Sequence, residues 1–336
     1  MSVKKIIFLV FGLTLLALLA FYFFGSWPAF SGKFLSPLGS SQKPTPTVAR
    51  PLDQYAFEAL RQRPYPSSEI KLEHVISQEA AYTSWLFSYL SDGQRVTGMA
   101  NLPEGKGPFS VVIMLRGHVD DEVYFTGVGT HKAAGVLAAN GFLTLAPDFL
   151  GFGGSDSSSA DILEARFTRP VTVLNLLAAI KSLPQADETH LGLWAHSNGG
   201  QIALSVLEIS QRALPTTLWA PVTKGFPESV LTFMGEMDDQ WFKVKKALAD
   251  FAQLYDSQNY SIDHYFGDIT APMQLHQGGQ DALVPASWSQ AFVEKMNQLG
   301  KKIDYYYYPS SDHNLKQNWD QVVARDITFF QTKLLD

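Results

Sequence analysis

From Phe109 to Leu334 the sequence alternates short apolar runs with longer stretches of helical periodicity, and few folds tolerate that order. FSVVIMLRG (109–117), FLTLAPD (142–148), HLGLWAH (190–196), TTLWAPV (216–222), MQLHQGG (273–279) and KIDYYYYP (302–309) read as strands. Between them lie helical patterns at 133–141, 162–184 (with a break near Pro170), 199–214 and 288–300, and a last one follows at about 316–334. Strands alternating with helices imply a mostly parallel central sheet with helices on both faces, joined by right-handed crossovers. Strand signals begin near residue 70, and SWLFSYLSDGQRVTGMANLP (84–103) places Asp92-Gly93 between two apolar-rich stretches. Asp-Gly in that setting signals a hairpin, so the sheet is expected to open with antiparallel strands.

Residues 223–262 interrupt the alternation and carry Phe226, Leu231, Phe233, Met234, Trp241 and Phe242. An insertion longer than a crossover needs reads as a small helical lid. At the N-terminus two lysines precede IIFLVFGLTLLALLAFYFF (6–24), an uncharged run about long enough to span a bilayer. Residues 1–30 are therefore expected to be a membrane anchor, single-pass with the rest of the chain outside the cytoplasm. The alternative is a cleaved signal peptide and a secreted protein, although the run exceeds the usual length and only Ala29-Phe30-Ser31 offers a cleavage site. Residues 31–66, rich in Ser, Pro and Gly up to Leu52, read as a linker and a short helix around Tyr55, Phe57 and Leu60, leaving 67–336 as the globular domain.

Composition removes several chemistries. There is no cysteine, which excludes disulfides, thiolate nucleophiles and Cys-ligated metals. A net charge of −6 without a long basic run gives no footprint for nucleic acid. His118-Val119-Asp120-Asp121-Glu122 has no matching ligand group elsewhere, so no metal is expected. PDFLGFGGSD (147–156) lacks a dinucleotide fingerprint and a phosphate-binding lysine; it reads as a loop at a site rim, with Asp148 tying loops together. No cofactor is implied.

The chemistry concentrates at LGLWAHSNGGQIAL (191–204). A serine on a sharp strand-to-helix turn projects its hydroxyl above the sheet edge, and the positions two before and two after it must be small. Here those positions are Ala195 and Gly199 around Ser197. A neutral serine needs a base, and the base needs an orienting carboxylate. Asp281 follows the strand MQLHQGG and His313 follows the next one, both at the sheet edge that carries Ser197. Of the eight histidines, His276 lies inside a strand, His118 lies upstream, and His196 is expected to point away across the turn. Asp312 is too close in sequence to His313 to orient it. The oxyanion donors are the backbone N–H of Asn198 and, from the loop after IMLRG, that of His118 or Val119.

With SDGQRVTGMANLP, MLRGHVDDEVYFTG, PDFLGFGGSD, AHSNGG, GGQDALVP and SSDHNL in this order, the stretch from about residue 84 to the C-terminus resembles the catalytic domain of prolyl-oligopeptidase-family serine hydrolases, within the α/β-hydrolase superfamily. The resemblance implies an α/β-hydrolase fold, with Ser197 as nucleophile, Asp281 as acid and His313 as base. It implies a single catalytic domain acting on small peptide or ester substrates, since no room precedes the first strands for the propeller of the large oligopeptidases. Arg116-Gly117-His118 stands where the family usually has His-Gly-Gly. A serine peptidase is the expected activity, a carboxylesterase the alternative, and a binding module without chemistry the third reading.

Overall fold

The computed structural model describes residues 49–234 and 240–335. Nine strands form one sheet in the order β1-β2-β3-β5-β4-β6-β7-β8-β9. The strands are β1 (Lys71–Gln78), β2 (Tyr82–Ser91), β3 (Gln94–Pro103), β4 (Phe109–Leu115), β5 (Leu143–Pro147), β6 (Ala186–His196), β7 (Thr216–Trp219), β8 (Met273–Gly278) and β9 (Ile303–Tyr308). The Asp92-Gly93 turn joins β2 to β3 as expected, and β1, β2, β3 and β5 pair antiparallel. From β5 across to β9 every pairing is parallel.

The central strands are apolar throughout because both faces are covered. Along β4, Val111, Ile113 and Leu115 enter one core while Val112 and Met114 enter the other, as alternation of side chains across a strand requires. The first core lies under helices α1 (Phe57–Gln62), α3 (Ile162–Ala179) and α4 (Asn198–Ser210). The second lies under α2 (His131–Ala139) and α8 (Trp319–Leu334). Helices α5 (Glu228–Met234) and α6 (Gln240–Leu254) follow β7, and α7 (Ala286–Gln298) joins β8 to β9. Strand order reverses at β4, which lies between β5 and β6, and a crevice at the C-terminal strand ends belongs at such a switch point.

Two expectations change. Helix α3 does not break at Pro170; it runs unbroken to Ala179. Pro170 lacks the N–H that would reach the Arg166 carbonyl, but Pro170 and the turns on either side are packed into the core, and Asp161 caps the start by accepting from the Leu163 and Glu164 N–H groups at 2.8 and 3.0 Å. The compact unit also begins at Arg50 rather than residue 67. Leu52, Tyr55, Phe57 and Leu60 are all buried, so the short helix is part of the domain. Residues 6–24, and Glu236, Asp238 and Asp239 of the insertion, lie outside the described residues; among those described, no helix is long and apolar enough to cross a membrane.

Candidate active site

Ser197 sits between β6 and α4 with φ 55° and ψ −122°, a conformation that costs a non-glycine residue energy and persists only when its surroundings enforce it. Its N–H donates to the Trp219 carbonyl at 2.9 Å, and its carbonyl accepts from Gly200 and Val222, each at 2.9 Å. The small neighbours have a visible reason. A Cβ on Gly199 would collide with the carbonyl oxygens of Leu115 and Arg116 at the end of β4, and Ala195 has no exposure. A Cβ on Gly117 would come within 2.9 Å of the Ser197 Cβ, so the loop after β4 passes directly against the serine.

Asp281 and His313 meet after β8 and β9. The His313 Nδ1–H donates to Asp281 Oδ2 at 2.8 Å, with both side chains buried. That bond leaves Nε2 as the ring's free lone pair. Asp281 Oδ1 accepts from the Leu283 and Val284 N–H groups at 2.9 and 2.8 Å. Burial alone would raise its pKa, but the His313 bond and these backbone donors outweigh burial and hold it below the usual carboxylate value. Gln277, inside β8, adds a bond from Nε2 to Asp281 Oδ2 at 3.1 Å and is itself held by Ser289 Oγ at 2.7 Å.

His196 does not point away, contrary to the sequence expectation. Its ring lies 4.6 Å from that of His313, centroid to centroid, and its Nε2–H donates to the His313 carbonyl at 3.1 Å. Burial first, then the proximity of His313, pushes its pKa down to about 4, so it is neutral where the site would work. Neither Gln277 nor His196 was singled out from sequence as a site residue. The adjacency of His196 to Ser197 was its one signal, because the contact itself spans 117 residues.

Asn198 is the first residue of α4, where an N–H has no intrahelical acceptor. His118 has an exposed side chain 3.2 Å from Asp120 Oδ1, and its backbone and that of Val119 follow directly on Gly117. The loop after β4 is anchored from beneath. The guanidinium of Arg116 lies 4.8, 5.7 and 4.3 Å from the ring centres of Tyr124, Phe149 and Phe152, and donates to the Gly117 and Asp148 carbonyls at 3.0 and 3.2 Å. The buried Asp148 carboxylate accepts from Thr97, Tyr124 and Thr126 at 2.5, 2.5 and 3.0 Å. Burial raises its pKa in spite of those donors. Asp148 thus ties three segments at the site rim, as its position after β5 implied.

A cavity of about 40 Å³ opens beside Asn198, walled by Phe167, Phe226 and Tyr260, with Arg166 and Arg169 at its lining. Phe226 and Tyr260 come from the 223–262 insertion. Trp241 does not line this cavity; the Lys245 ammonium lies 3.8 Å from its ring centre.

The family model described as "Prolyl oligopeptidase family" matches residues 130–336. An uncharacterized peptidase, YtmA, of Bacillus subtilis (strain 168) is 23% identical over 274 residues, which cover 80% of this chain and 96% of that protein. Among solved structures, acetyl xylan esterase 1 from Thermoanaerobacterium sp. JW/SL YS485 superposes with a TM-score of 0.61 at 16% identity, covering 83% of this chain and 93% of that one. Pyrococcus horikoshii acylaminoacyl peptidase superposes with a TM-score of 0.58 at 18% identity, covering 76% of this chain and 42% of that one. These likenesses show a shared fold, and the family match is to this chain's own sequence. The chain belongs to the prolyl oligopeptidase family of serine hydrolases, built on the α/β-hydrolase fold.

Proposed function

We propose that the protein is a serine peptidase that forms an acyl-enzyme on Ser197. The observation that carries this reading is the 2.8 Å bond from His313 Nδ1 to Asp281, at the sheet edge where Ser197 is held in its strained turn. In the first step His313 Nε2 takes the Ser197 proton as Oγ attacks the scissile carbonyl carbon. The negative charge that develops on the carbonyl oxygen is met by the Asn198 N–H and by that of His118 or Val119. Collapse of the tetrahedral species breaks the bond to the leaving group, which receives the proton from His313. Water, deprotonated by the same imidazole, then releases the acyl group and restores Ser197. Asp281 stays ionised throughout and stabilises the imidazolium.

Peptide cleavage is favoured by the family and by the peptidase relative. Ester cleavage is a second reading, supported by the acetyl xylan esterase that superposes over nearly its whole length, whereas the acylaminoacyl peptidase does so over 42% of its own. The enzyme-side chemistry is the same, so kinetics decide. Fluorophosphonate labelling that disappears in Ser197→Ala is the expected result for either. A kcat/KM for peptide amides well above that for matched acyl esters, corrected for intrinsic reactivity, supports the peptidase; turnover of esters alone would replace it with the esterase. For residues 6–24, the uncharged run behind two lysines supports a membrane tether with the catalytic domain outside the cytoplasm. Retention in the membrane on alkaline extraction is expected, and release of the full-length chain would count against it.

A further inference from the structure

Arg166 and Arg169 stand one turn apart on α3, on one face of the helix. Both line the cavity beside Asn198. Among the described residues, the arginines that form ion pairs are Arg50 with Asp53, Arg61 with Glu58 and Asp268, Arg63 with Asp92, and Arg95 with Glu73. The cavity pair differs. Among the described residues, Arg166 reaches only neutral acceptors, Gln201 Oε1 and, at 3.1 Å, Ser229 Oγ. Arg169 makes neither an ion pair nor a side-chain hydrogen bond there; Asp121 is the one carboxylate whose field favours its charge, while Arg116 opposes it. Burial, then the neighbouring Arg169, lowers the Arg166 pKa to about 9, and burial lowers that of Arg169 to about 10, so both remain cations at neutral pH.

Two like charges set side by side at an aromatic-walled cavity, with no carboxylate paired to either among the described residues, repel each other. Perturbed charged groups of this kind cluster where a ligand completes them. Phe167, Phe226 and Tyr260 pack ring to ring around the site, with Phe167 at 5.3 Å from Phe226 and 5.1 Å from Tyr260. Such walls lower the local dielectric and strengthen an ionic contact made beside them. The cavity has room for a few waters or one small planar anion. A carboxylate matches the fork of a guanidinium with two parallel bonds, and the Arg169 fork is the free one.

Position says which half of the substrate carries the anion. The leaving group departs toward His313, which gives it the proton. The cavity is lined by Asn198, beside the oxyanion, and by neither His313 nor His196. The substituent of the carbonyl carbon that stays on Ser197 is therefore the part that enters. Resting on the acyl-enzyme reading above, we propose that Arg166 and Arg169 form an acyl-side subsite for a carboxylate, so that the enzyme prefers acyl groups ending in one, such as an acidic side chain or a dicarboxylic half-ester.

The test compares 4-nitrophenyl hemiglutarate with 4-nitrophenyl pentanoate, which has the same carbon count without the charge, on the full-length protein. A charge-assisted pair at a partly buried site makes the expected kcat/KM ratio about tenfold or more in favour of the hemiglutarate. Arg169→Gln should bring the ratio close to one, and Arg169→Lys should retain part of it. A wild-type ratio of one or less, or a ratio unmoved by both Arg169→Gln and Arg166→Gln, overturns the subsite. Calorimetric titration of Ser197→Ala with glutarate and with pentanoate gives a readout without turnover: tighter glutarate binding supports the proposal and equal or weaker binding overturns it. Should the protein hydrolyse neither ester and escape fluorophosphonate labelling, the hydrolase reading fails while this titration still decides the subsite.

Discussion

At the residue scale, the strain at Ser197 and the neutrality of His196 are the most informative features of the site. The turn at Ser197 is imposed by Trp219 of β7 and Val222 in the loop after it, and by the close approach of the end of β4 at Gly199. It does not depend on the hydroxyl. Ser197→Ala is therefore expected to keep the fold, with unfolding free energy within about 1 kcal/mol of wild type, and to lower kcat by roughly 10⁴-fold or more. Denaturant unfolding and turnover of the best substrate check the two halves. The pH dependence follows from His196. Its folded pKa of about 4 lies below the ordinary 6.5. Between those values the unfolded chain binds a proton that the folded chain refuses, so this residue costs stability as pH falls from about 6.5 toward 4 and contributes no pH dependence above that window. The slope approaches about 1.4 kcal/mol per pH unit at most. His196→Gln keeps a donor for the His313 carbonyl but cannot titrate. The urea midpoint should therefore fall less between pH 7 and 5 in this variant than in wild type; equal falls would mean that His196 is protonated in the fold.

At the scale of elements, Asp326 of α8 holds the helix to three strands at once. Its carboxylate accepts from Trp194 of β6 at 3.2 Å, from Trp219 and Thr217 of β7 at 2.9 and 2.7 Å, and from Gln274 of β8 at 2.8 Å, with His276 also 3.2 Å away. Removing one partner of a buried network leaves its donors unpaired. Asp326→Ala should accordingly lower stability by about 3 to 5 kcal/mol, read as a shifted denaturation midpoint; a loss below about 1 kcal/mol would show that the donors find other acceptors. This hub was not visible in the sequence, because its members lie far apart in the chain. The strands it joins were visible: buried parallel strands such as VVIML and LGLWA are apolar without interruption, and glycine or proline marks most of their ends. The placement of Ser197, Asp281 and His313 at one sheet edge was legible for the same reason, each standing just past a strand that pattern alone identifies. Local rules misread α3, where a proline signalled a break that core packing overrode. The contacts of Gln277 with Asp281 and of His196 with His313 escaped sequence reading because they arise only when β6, β8 and the loop after β9 are side by side.

For the whole molecule, the segment 50–62 decides where the working domain starts. Leu52 receives and returns hydrogen bonds across the chain, its N–H to the Tyr255 hydroxyl and its carbonyl from the Tyr260 hydroxyl, both at 3.1 Å. Arg61 bonds the Glu208 carbonyl at 2.9 Å and pairs with Asp268 at 2.6 Å. Tyr55, Phe57 and Leu60 also line the cavity beside Asn198, so the same residues that close the core close the site. Full burial of a large apolar side chain contributes about 1.5 to 3 kcal/mol. Leu52, Tyr55, Phe57 and Leu60 together then supply a sum comparable to the total stability of about 5 to 15 kcal/mol typical of a domain. A chain shortened to 67–336 keeps Ser197, Asp281 and His313 and every strand of the sheet, yet it should fail to hold a cooperative fold, whereas 48–336 should melt in a single transition and react with a fluorophosphonate. Circular dichroism melts and probe labelling of the two chains separate the cases. If 67–336 melted cooperatively and labelled like 48–336, the N-terminal segment would be an ornament on a domain that stands without it.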